Sequence, residues 1–356
     1  MSFLKKIKNS YWVKSGSITL LNRIAITLFG LLNFFFLVRT LSKSDFGVWV
    51  IFLSILALSE SIRNAFIYNP LLRYLNSEKD ENRKHIITAS LALNLLAAGV
   101  ISAIFVALSF TIEFFIDAPI MPSMFLISIV SVFGFTLFAH FNFLQQANLK
   151  FMGTLVSTMI QKGSLFIYIL YIYIFKVETD LFMLAAVYSM GYVASSIVAF
   201  LFATKESELY WQFDFKWLSR LFHYGKYTLG TNLSTMLNKS VREWFLGGMI
   251  GTSATAVFSP SVRVTNLFEI PLGAIASVFY PKMINRVREE GTGAAKYMYE
   301  KSVGVILIAV LPAVAFIFIF ADFIVLVIAG PEYPESVPVL RVMALYGIFE
   351  PFSRQF

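Results

Sequence analysis

The chain has 356 residues and a net charge of +8, and 58% of its residues are hydrophobic while only 14% are charged. Soluble domains carry about 25% charged residues, so this composition excludes an ordinary water-soluble protein. The absence of Cys excludes disulfides, thiolate catalysis and sulfur-ligated metals.

The first element is an apolar block that follows four lysines within residues 5–14. It runs for about 22 residues without a small-residue cleavage site, which predicts a retained membrane span that also acts as an export signal. Ahead of it, Phe3, Leu4, Ile7 and Tyr11 share one helical face opposite the lysines. This pattern is typical of an amphipathic segment on the membrane surface.

Further apolar blocks follow, each close to the ~20 residues needed to cross a hydrocarbon core of about 30 Å. We predict nine complete spans and the beginning of a tenth. The nine cover residues 17–38, 46–67, 86–112, 120–144, 154–175, 181–203, 227–249, 254–279 and 302–329. The tenth begins near Val337, and the sequence ends within it.

Lys and Arg are distributed unequally between the two sides that these spans define. The loops on the side of the N-terminus hold eighteen, and the opposite loops hold only Arg39, Lys43 and Lys176. Because basic loops stay in the cytoplasm, the pattern predicts a multi-pass protein of a bacterial inner membrane with a cytoplasmic N-terminus. The same loops explain the positive net charge without nucleic acid as a partner.

An internal repeat relates the first and seventh spans at an offset of 209 residues. At this offset Gly16 meets Gly225, and Glu60 meets Glu269. Six spans separate the copies, so they share an orientation and the symmetry axis should lie along the membrane normal.

The predicted fold is therefore an all-α polytopic membrane protein. Two pseudo-symmetric helical lobes, spans one to six and seven onward, should surround a central polar cavity. The N-terminal lobe covers residues 1–210. The C-terminal lobe, residues 211–356, begins with an amphipathic interfacial segment around Trp217 and is truncated within its fourth span.

Signals for catalysis of the soluble-enzyme type are missing from the sequence. His85, His140 and His223 lie apart, and no phosphate-binding Gly-rich loop or paired-carboxylate motif occurs. The loops outside the spans are too short for a separate catalytic domain. We therefore expect no catalytic residues, no metal and no cofactor.

Cations inside the predicted spans carry most of the functional information. Each costs about 2.5–3.5 kcal/mol at a helix centre on insertion scales, so they should face protein or water and not lipid. The eight are Arg23, Arg63, Lys162, Lys239, Arg242, Arg263, Arg341 and Arg354.

Span seven concentrates polar residues on one face at helical spacing, and span eight repeats the pattern. The residues concerned are Thr228, Asn232, Thr235, Lys239 and Arg242, followed by Ser259, Arg263, Asn266 and Glu269. Lys239 and Arg263 are each twelve residues from Gly251, which predicts equal depths in two antiparallel helices. Lys239, Arg242 and Arg263, here named the cationic patch, should lie together in a polar cavity.

In the first lobe, Arg23 and Arg63 are predicted at matching depths, and Gln161 lies on a polar face of span five beside Lys162. Together with Asn232, Asn266 and the cationic patch, they are candidates to bind an anionic, polyhydroxylated ligand, since Arg favours bidentate phosphate contacts.

Two carboxylates inside the spans, Glu60 and Glu269, are candidates for a coupling ion. The alternative for each charge is a structural ion pair at helical spacing, such as Glu60 with Arg63 or Lys239 with Glu243.

The turn after span one, Arg39-Thr-Leu-Ser-Lys-Ser-Asp45-Phe46-Gly47-Val-Trp49, resembles a signature of polysaccharide and O-antigen flippases. Residues 232–251, Pro281 and Gly330-Pro-Glu-Tyr333 also fall where this branch of the multidrug/oligosaccharidyl-lipid/polysaccharide transporter superfamily has similar patterns. Family members usually have more spans, and this chain carries Arg242-Glu243 where an Asp is common.

The resemblance implies a flippase that moves an undecaprenyl-pyrophosphate-linked oligosaccharide across the inner membrane by alternating access between the lobes. The cations would hold the pyrophosphate, the polar faces would hold the sugar, and the lipid tail would stay in the bilayer. The implied partners are this substrate and membrane lipid, together with glycan polymerase or assembly proteins.

Three alternatives stay open. A cation-coupled multidrug exporter of the same superfamily should line its cavity with carboxylates, because its cargo is usually cationic. A membrane glycan polymerase or ligase should have a sizeable periplasmic loop. A scaffold for glycan assembly would need neither feature.

Overall fold

The computed structural model of the chain describes residues 11–78, 80–206, 212–267, 286 and 293–353. Over these residues the protein is helical, with no strand, which confirms the predicted all-α class. The first seven helices are α1 Tyr11–Thr40, α2 Lys43–Ser77, α3 Asp80–Thr111, α4 Met121–Ala147, α5 Met152–Phe175, α6 Leu181–Glu206 and α7 Phe215–Met249. They are followed by α8 (252–267), α9 Gly293–Ile319, α10 Ala321–Ile328, α11 Ser336–Tyr346 and α12 Glu350–Ser353.

Seven helices within the described ranges are long and apolar enough to cross a membrane, so the chain is a multi-pass membrane protein. They are Ser15–Thr40, Lys43–Ser77, Glu81–Phe114, Met121–Ala147, Met152–Phe175, Leu181–Thr204 and Lys296–Ile319. The first six match predicted spans one to six. The last covers only the first part of predicted span nine.

The predicted seventh and eighth spans differ from these seven. The seventh forms the 35-residue helix α7, but its polar face leaves no stretch apolar enough to be counted as a span. The eighth corresponds to α8 up to residue 267, and the rest of it, with Glu269 and Pro281, lies outside the described residues. The N-terminal amphipathic segment also falls there, apart from Tyr11.

Predicted span nine is divided in two at Phe320, between α9 and α10. The break has no Pro or Gly to announce it, and Pro312 lies earlier, inside α9. Helix α11 begins at Ser336, close to the predicted start of span ten, but it ends at Tyr346 after 11 residues.

The sequence predicts an interfacial segment around Trp217, and the structure describes this segment from residue 212 onward. It forms the first turns of α7, where Trp217 and Leu221 are buried in an apolar cluster with Leu71 and Leu75 of α2. The physical reason is the length of α2. Its 35 residues span about 52 Å, so its C-terminal turns offer an apolar protein surface beyond the ~30 Å lipid core. Only the opposite side of this segment, with Phe222, is exposed.

Close backbone approaches hold the helices of this region together. Helix α4 packs on α3 and α6, α1 packs on α5, and α7 packs on α2 and α3. At Gly225 of α7 a Cβ would clash with the carbonyl oxygen of Phe66 in α2, so the contact needs a residue without a side chain. Trp244 of α7 donates to the Ser54 hydroxyl at 2.8 Å, farther along the same pair of helices.

The chain divides into two compact units, Met1–Thr252 and Ser253–Phe356. This division follows contacts, and it groups α7 with the helices on which it packs. The predicted lobes, 1–210 and 211–356, follow sequence symmetry instead. Their boundary stays a prediction.

Helix boundaries agree with the predicted repeat. Helix α1 ends at Thr40 and α7 at Met249, while α2 begins at Lys43 and α8 at residue 252, so both boundaries recur after 209 residues. Gly251, in the second of these turns, has a φ of 122°, a conformation that favours glycine. The two turns touch, because the Ser44 and Thr252 hydroxyls lie 2.9 Å apart.

Candidate substrate and coupling site

A polar cluster lies inside the first unit around Glu60 of α2. It consists of Glu60, Arg63, Lys162 of α5, and Tyr188 and Tyr192 of α6, and it is named the Glu60 cluster here. The Tyr192 hydroxyl donates to Glu60 Oε1 at 2.9 Å, and the Tyr188 hydroxyl lies 3.3 Å from the same oxygen. The charges of Lys162 and Arg63 both act on Glu60.

Arg63 is held by α4 and not by a hydrogen bond to Glu60. Its guanidinium donates to the Thr136 hydroxyl and to the Val132 carbonyl, and it stacks 3.9 Å above the centre of the Phe135 ring. Only 3% of Arg63 is exposed. The predicted pairing of Glu60 with Arg63 is therefore electrostatic, and Arg63 is a fixed part of the helix packing.

Lys162 and Gln161 are neighbours in the sequence but differ in environment. Lys162 is partly buried and interacts with Glu60, whereas Gln161 is 2% exposed. The buried face that carries Gln161 also holds Ser157, which donates to Asn142 of α4 at 3.1 Å. Part of the polar face of α5 is therefore buried in the contact between α5 and α4.

The polar face of α7 is exposed, in contrast to that of α5. Asn232, Thr235 and Arg242 are exposed, and the Asn232 amide donates back to the Thr228 carbonyl at 2.8 Å. The side chain of Lys239 lies outside the described part of the chain. Lipid would penalise such a face, so it must border protein or water.

The other predicted site residues are divided between the two units. Arg23 is exposed on α1 in the first unit, while Arg263, partly buried, and Asn266, exposed, belong to α8 in the second. The meeting of Arg263 with Lys239 and Arg242 in one cationic patch stays a prediction. Arg354 lies outside the described residues.

The structure shows contacts of Arg341, Tyr188 and Tyr192 that the sequence did not predict. Arg341 donates to Asp322 of α10 at 2.6 Å, so this predicted intramembrane cation has its own partner. Tyr188 and Tyr192 were not predicted as site residues. Their one signal was a spacing of four in span six, which puts both hydroxyls on one helix face.

The His, Asp and Glu side chains in the described part of the chain do not cluster. No group of three or more His, Asp or Glu side chains there is placed to hold an ion. His140 is fully buried, with its Nδ1 3.4 Å from the Ser90 hydroxyl, and His85 lies 3.2 Å from the Gln212 carbonyl. These histidines belong to the helix packing and to a loop contact.

The fold is similar to the folds of solved membrane transporters. An inward-facing multidrug resistance MATE family transporter of the MOP superfamily has a TM-score of 0.72 and 15% identity, and the match covers 92% of this chain and 79% of that one. An outward-facing MATE family transporter has a TM-score of 0.63 and 16% identity, and the match covers 97% of this chain and 80% of that one. A MOP superfamily transporter from Pyrococcus furiosus, whose pocket of reverse polarity suggests a different function, gives the same four values.

At these identities the similarity establishes the fold, which is that of the MOP superfamily transporters. A family model described as polysaccharide biosynthesis protein matches residues 36–338. The chain therefore belongs to the polysaccharide biosynthesis protein family. The predicted resemblance to the polysaccharide branch of this superfamily is confirmed. No curated relative matches the sequence.

Proposed function

We propose that the protein flips an undecaprenyl-pyrophosphate-linked oligosaccharide from the inner to the outer leaflet of a bacterial inner membrane. The cargo would be a precursor of O-antigen, lipopolysaccharide or capsule. Two facts support the combination: the family belongs to polysaccharide biosynthesis, and the fold is that of membrane transporters. A lipid-linked oligosaccharide as cargo would combine these two facts.

The observation that carries the proposal is the exposed polar face of α7. It presents Asn232, Thr235 and Arg242, while the adjacent acid, Glu243, is partly buried. Hydroxyl and amide groups suit a sugar, and a guanidinium suits a pyrophosphate because it can form two parallel hydrogen bonds to one phosphate. Lys239, Arg263 and Arg23 are the further cations that the sequence predicts for the pyrophosphate.

A cation-coupled multidrug exporter is the nearest rival, since similar structures include multidrug transporters. Its cargo would favour exposed carboxylates in the cavity. In the first unit Glu60 is instead bound by two tyrosines and lies near two cations. The Pyrococcus furiosus transporter is described as a case in which pocket polarity differs with function. A cationic surface in this chain fits such a change of cargo.

The decisive experiment measures flipping of a fluorescent lipid-linked oligosaccharide in vesicles that contain the purified protein. Arg242→Ala and Arg263→Ala should each reduce the initial rate by roughly tenfold or more, because a lost charge-assisted phosphate contact contributes about 1.5–3 kcal/mol. Arg263→Lys should recover part of the rate, since it keeps the charge and loses the planar fork.

Arg220→Ala is the matched control. Arg220 is also an exposed arginine of α7, but it lies near the start of the helix, against the Trp217 ring. This variant should flip at the normal rate. Normal flipping by the Lys239→Ala, Arg242→Ala, Arg263→Ala triple variant would overturn the pyrophosphate assignment, and transport of cationic drugs in place of the glycolipid would favour the exporter.

A further inference from the structure

Two adjoining cavities form one lateral groove on the first unit, bordered by α2, α3 and α7. The larger has a volume of about 700 Å³, and the smaller has about 490 Å³. Both are lined by Ile55, Leu108 and Trp244, which makes them continuous. Of the Glu60 cluster, Arg63 is in the wall of the groove.

The walls of the groove offer almost no free hydrogen-bonding group. Ser59 donates to the Ile55 carbonyl, and Trp244 donates to the Ser54 hydroxyl. Arg63 Nη1 donates to Thr136 and Val132 of α4, and Arg63 Nε has no hydrogen-bond partner but is buried. Ser219, near the start of α7, is the remaining lining residue with a polar side chain. An extended peptide would leave its backbone groups unsatisfied here, whereas a hydrocarbon has no hydrogen-bonding groups to satisfy.

The length of the groove selects the kind of hydrocarbon. On the α3 side its lining runs from Leu93 to Ile112, which is about 28 Å of helix rise. That matches the whole hydrocarbon thickness of about 30 Å, of which a phospholipid chain occupies only one leaflet. One continuous groove therefore suits a chain longer than a phospholipid tail.

Aromatic side chains mark both ends of the groove. Phe215 and Phe222 lie at one end, and Phe114, Phe115 and Phe245 lie at the other. All five are at least half exposed. Aromatic residues concentrate at the two membrane–water interfaces, which is consistent with a groove that runs from one interface to the other.

We propose that this groove binds the polyisoprenoid chain of the lipid carrier. The inference rests on the proposed function, in that it assigns a place to the lipid part of the proposed cargo. During transport the chain would lie along α3 and α7 while the head group crosses on the polar face of α7. The groove would thus keep the hydrocarbon in contact with the protein throughout the transfer.

The test uses undecaprenyl phosphate, which has the chain and one phosphate but no sugar. A photoreactive analogue is added to the full chain in nanodiscs, and labelled peptides are identified by mass spectrometry. Labelling should concentrate in 93–116 and 215–249. Excess unlabelled undecaprenyl phosphate should compete, and excess phosphatidylglycerol should not.

Two variants fill the groove from α3, and one fills an equivalent lipid-facing position elsewhere. Val100→Trp and Ile104→Trp introduce indoles at exposed groove positions, whereas Ile197→Trp does so on α6. The groove variants should reduce labelling by roughly tenfold or more, because an indole excludes at least two methylene groups of the chain. Ile197→Trp should label normally. Melting temperature and elution volume verify that each variant is folded.

The outcomes separate this inference from the proposed function. Equal labelling by a phospholipid analogue, or labelling unaffected by both groove variants, would show an ordinary lipid-facing surface and overturn the groove. Flipping that proceeds without groove labelling would leave the function standing and remove the groove. Groove labelling in a protein that does not flip glycolipid would retain the groove and reject the function.

Discussion

Glu60 accepts hydrogen bonds from two tyrosines of α6, and the positive charges of two nearby side chains act on it. The groups that face it are Arg63 on its own helix, Lys162 on α5, and Tyr188 and Tyr192 on α6. Glu60 lies inside a candidate membrane span, where a charged carboxylate is energetically costly and its neighbours determine whether the charged or the neutral form is favoured. A carboxylate in such a position is a candidate for energy coupling.

The coupling hypothesis predicts the effect of removing the carboxylates. The Glu60→Gln, Glu269→Gln double variant should lose the dependence of glycolipid flipping on a pH or Na⁺ gradient, since Gln neither binds a proton nor attracts a cation. Tyr192→Phe is the control, because it removes one hydrogen bond and keeps the acid. Flipping rates in vesicles with imposed gradients measure both effects, and an unchanged gradient response in the double variant would reject the hypothesis.

Part of this cluster could be predicted from sequence, and part could not. A spacing of three placed Glu60 near Arg63, and their electrostatic interaction is present. The contacts that fix Arg63 come from Val132, Phe135 and Thr136 of α4, a helix whose rotation about its axis is set by packing. Hydropathy locates a span along the chain, but it does not show which side of that helix packs against a neighbouring helix.

At the scale of helices, α7 depends on two glycines in different ways. Gly225 lies against the Phe66 carbonyl, whereas Gly230, little more than one turn later, has open space at its Cβ position. Gly225→Ala should therefore lower the melting temperature, with a loss of about 1–3 kcal/mol from overpacking. Gly230→Ala should be neutral or stabilising by up to about 1 kcal/mol, since Ala favours helix.

Thermal unfolding of the two variants in the same detergent compares the effects directly. Equal melting temperatures would contradict the close approach of α2 and α7. The hydrogen bond from Trp244 to Ser54 lies on the same helix pair, so Trp244→Phe should weaken the same contact without affecting Gly225.

The sequence predicts the helices well within the apolar blocks and less well outside them. Helices α1 to α6 contain the six predicted apolar blocks because about 20 apolar residues in lipid must form a helix. Helix α2 continues ten residues past Ile67, to Ser77, because protein contacts replace lipid there. The break at Phe320 has no local signal in the sequence.

At the scale of the whole molecule, the distribution of Lys and Arg predicts the orientation. The chain has no Cys, so single introduced cysteines report without background. Cysteine at Ser253 should react with a membrane-impermeant thiol reagent in cells whose outer membrane is permeabilised. Cysteine at Ser77 should react only after the inner membrane is opened, and both side chains are exposed. The opposite pattern would reverse the predicted topology.

The polarity of α7 has a consequence for the biogenesis of the protein. Each Lys or Arg near the centre of a helix opposes release into lipid by about 2.5–3.5 kcal/mol, and α7 carries Lys239 and Arg242 with few compensating apolar stretches. Its partners α2 and α3 emerge from the ribosome more than a hundred residues earlier, so they are present when α7 is made. We therefore expect α7 to insert and to pack on α2 and α3 in one step. A substitution on the surface of α2 against which α7 packs would then impair the insertion of α7, although the sequence of α7 is unchanged.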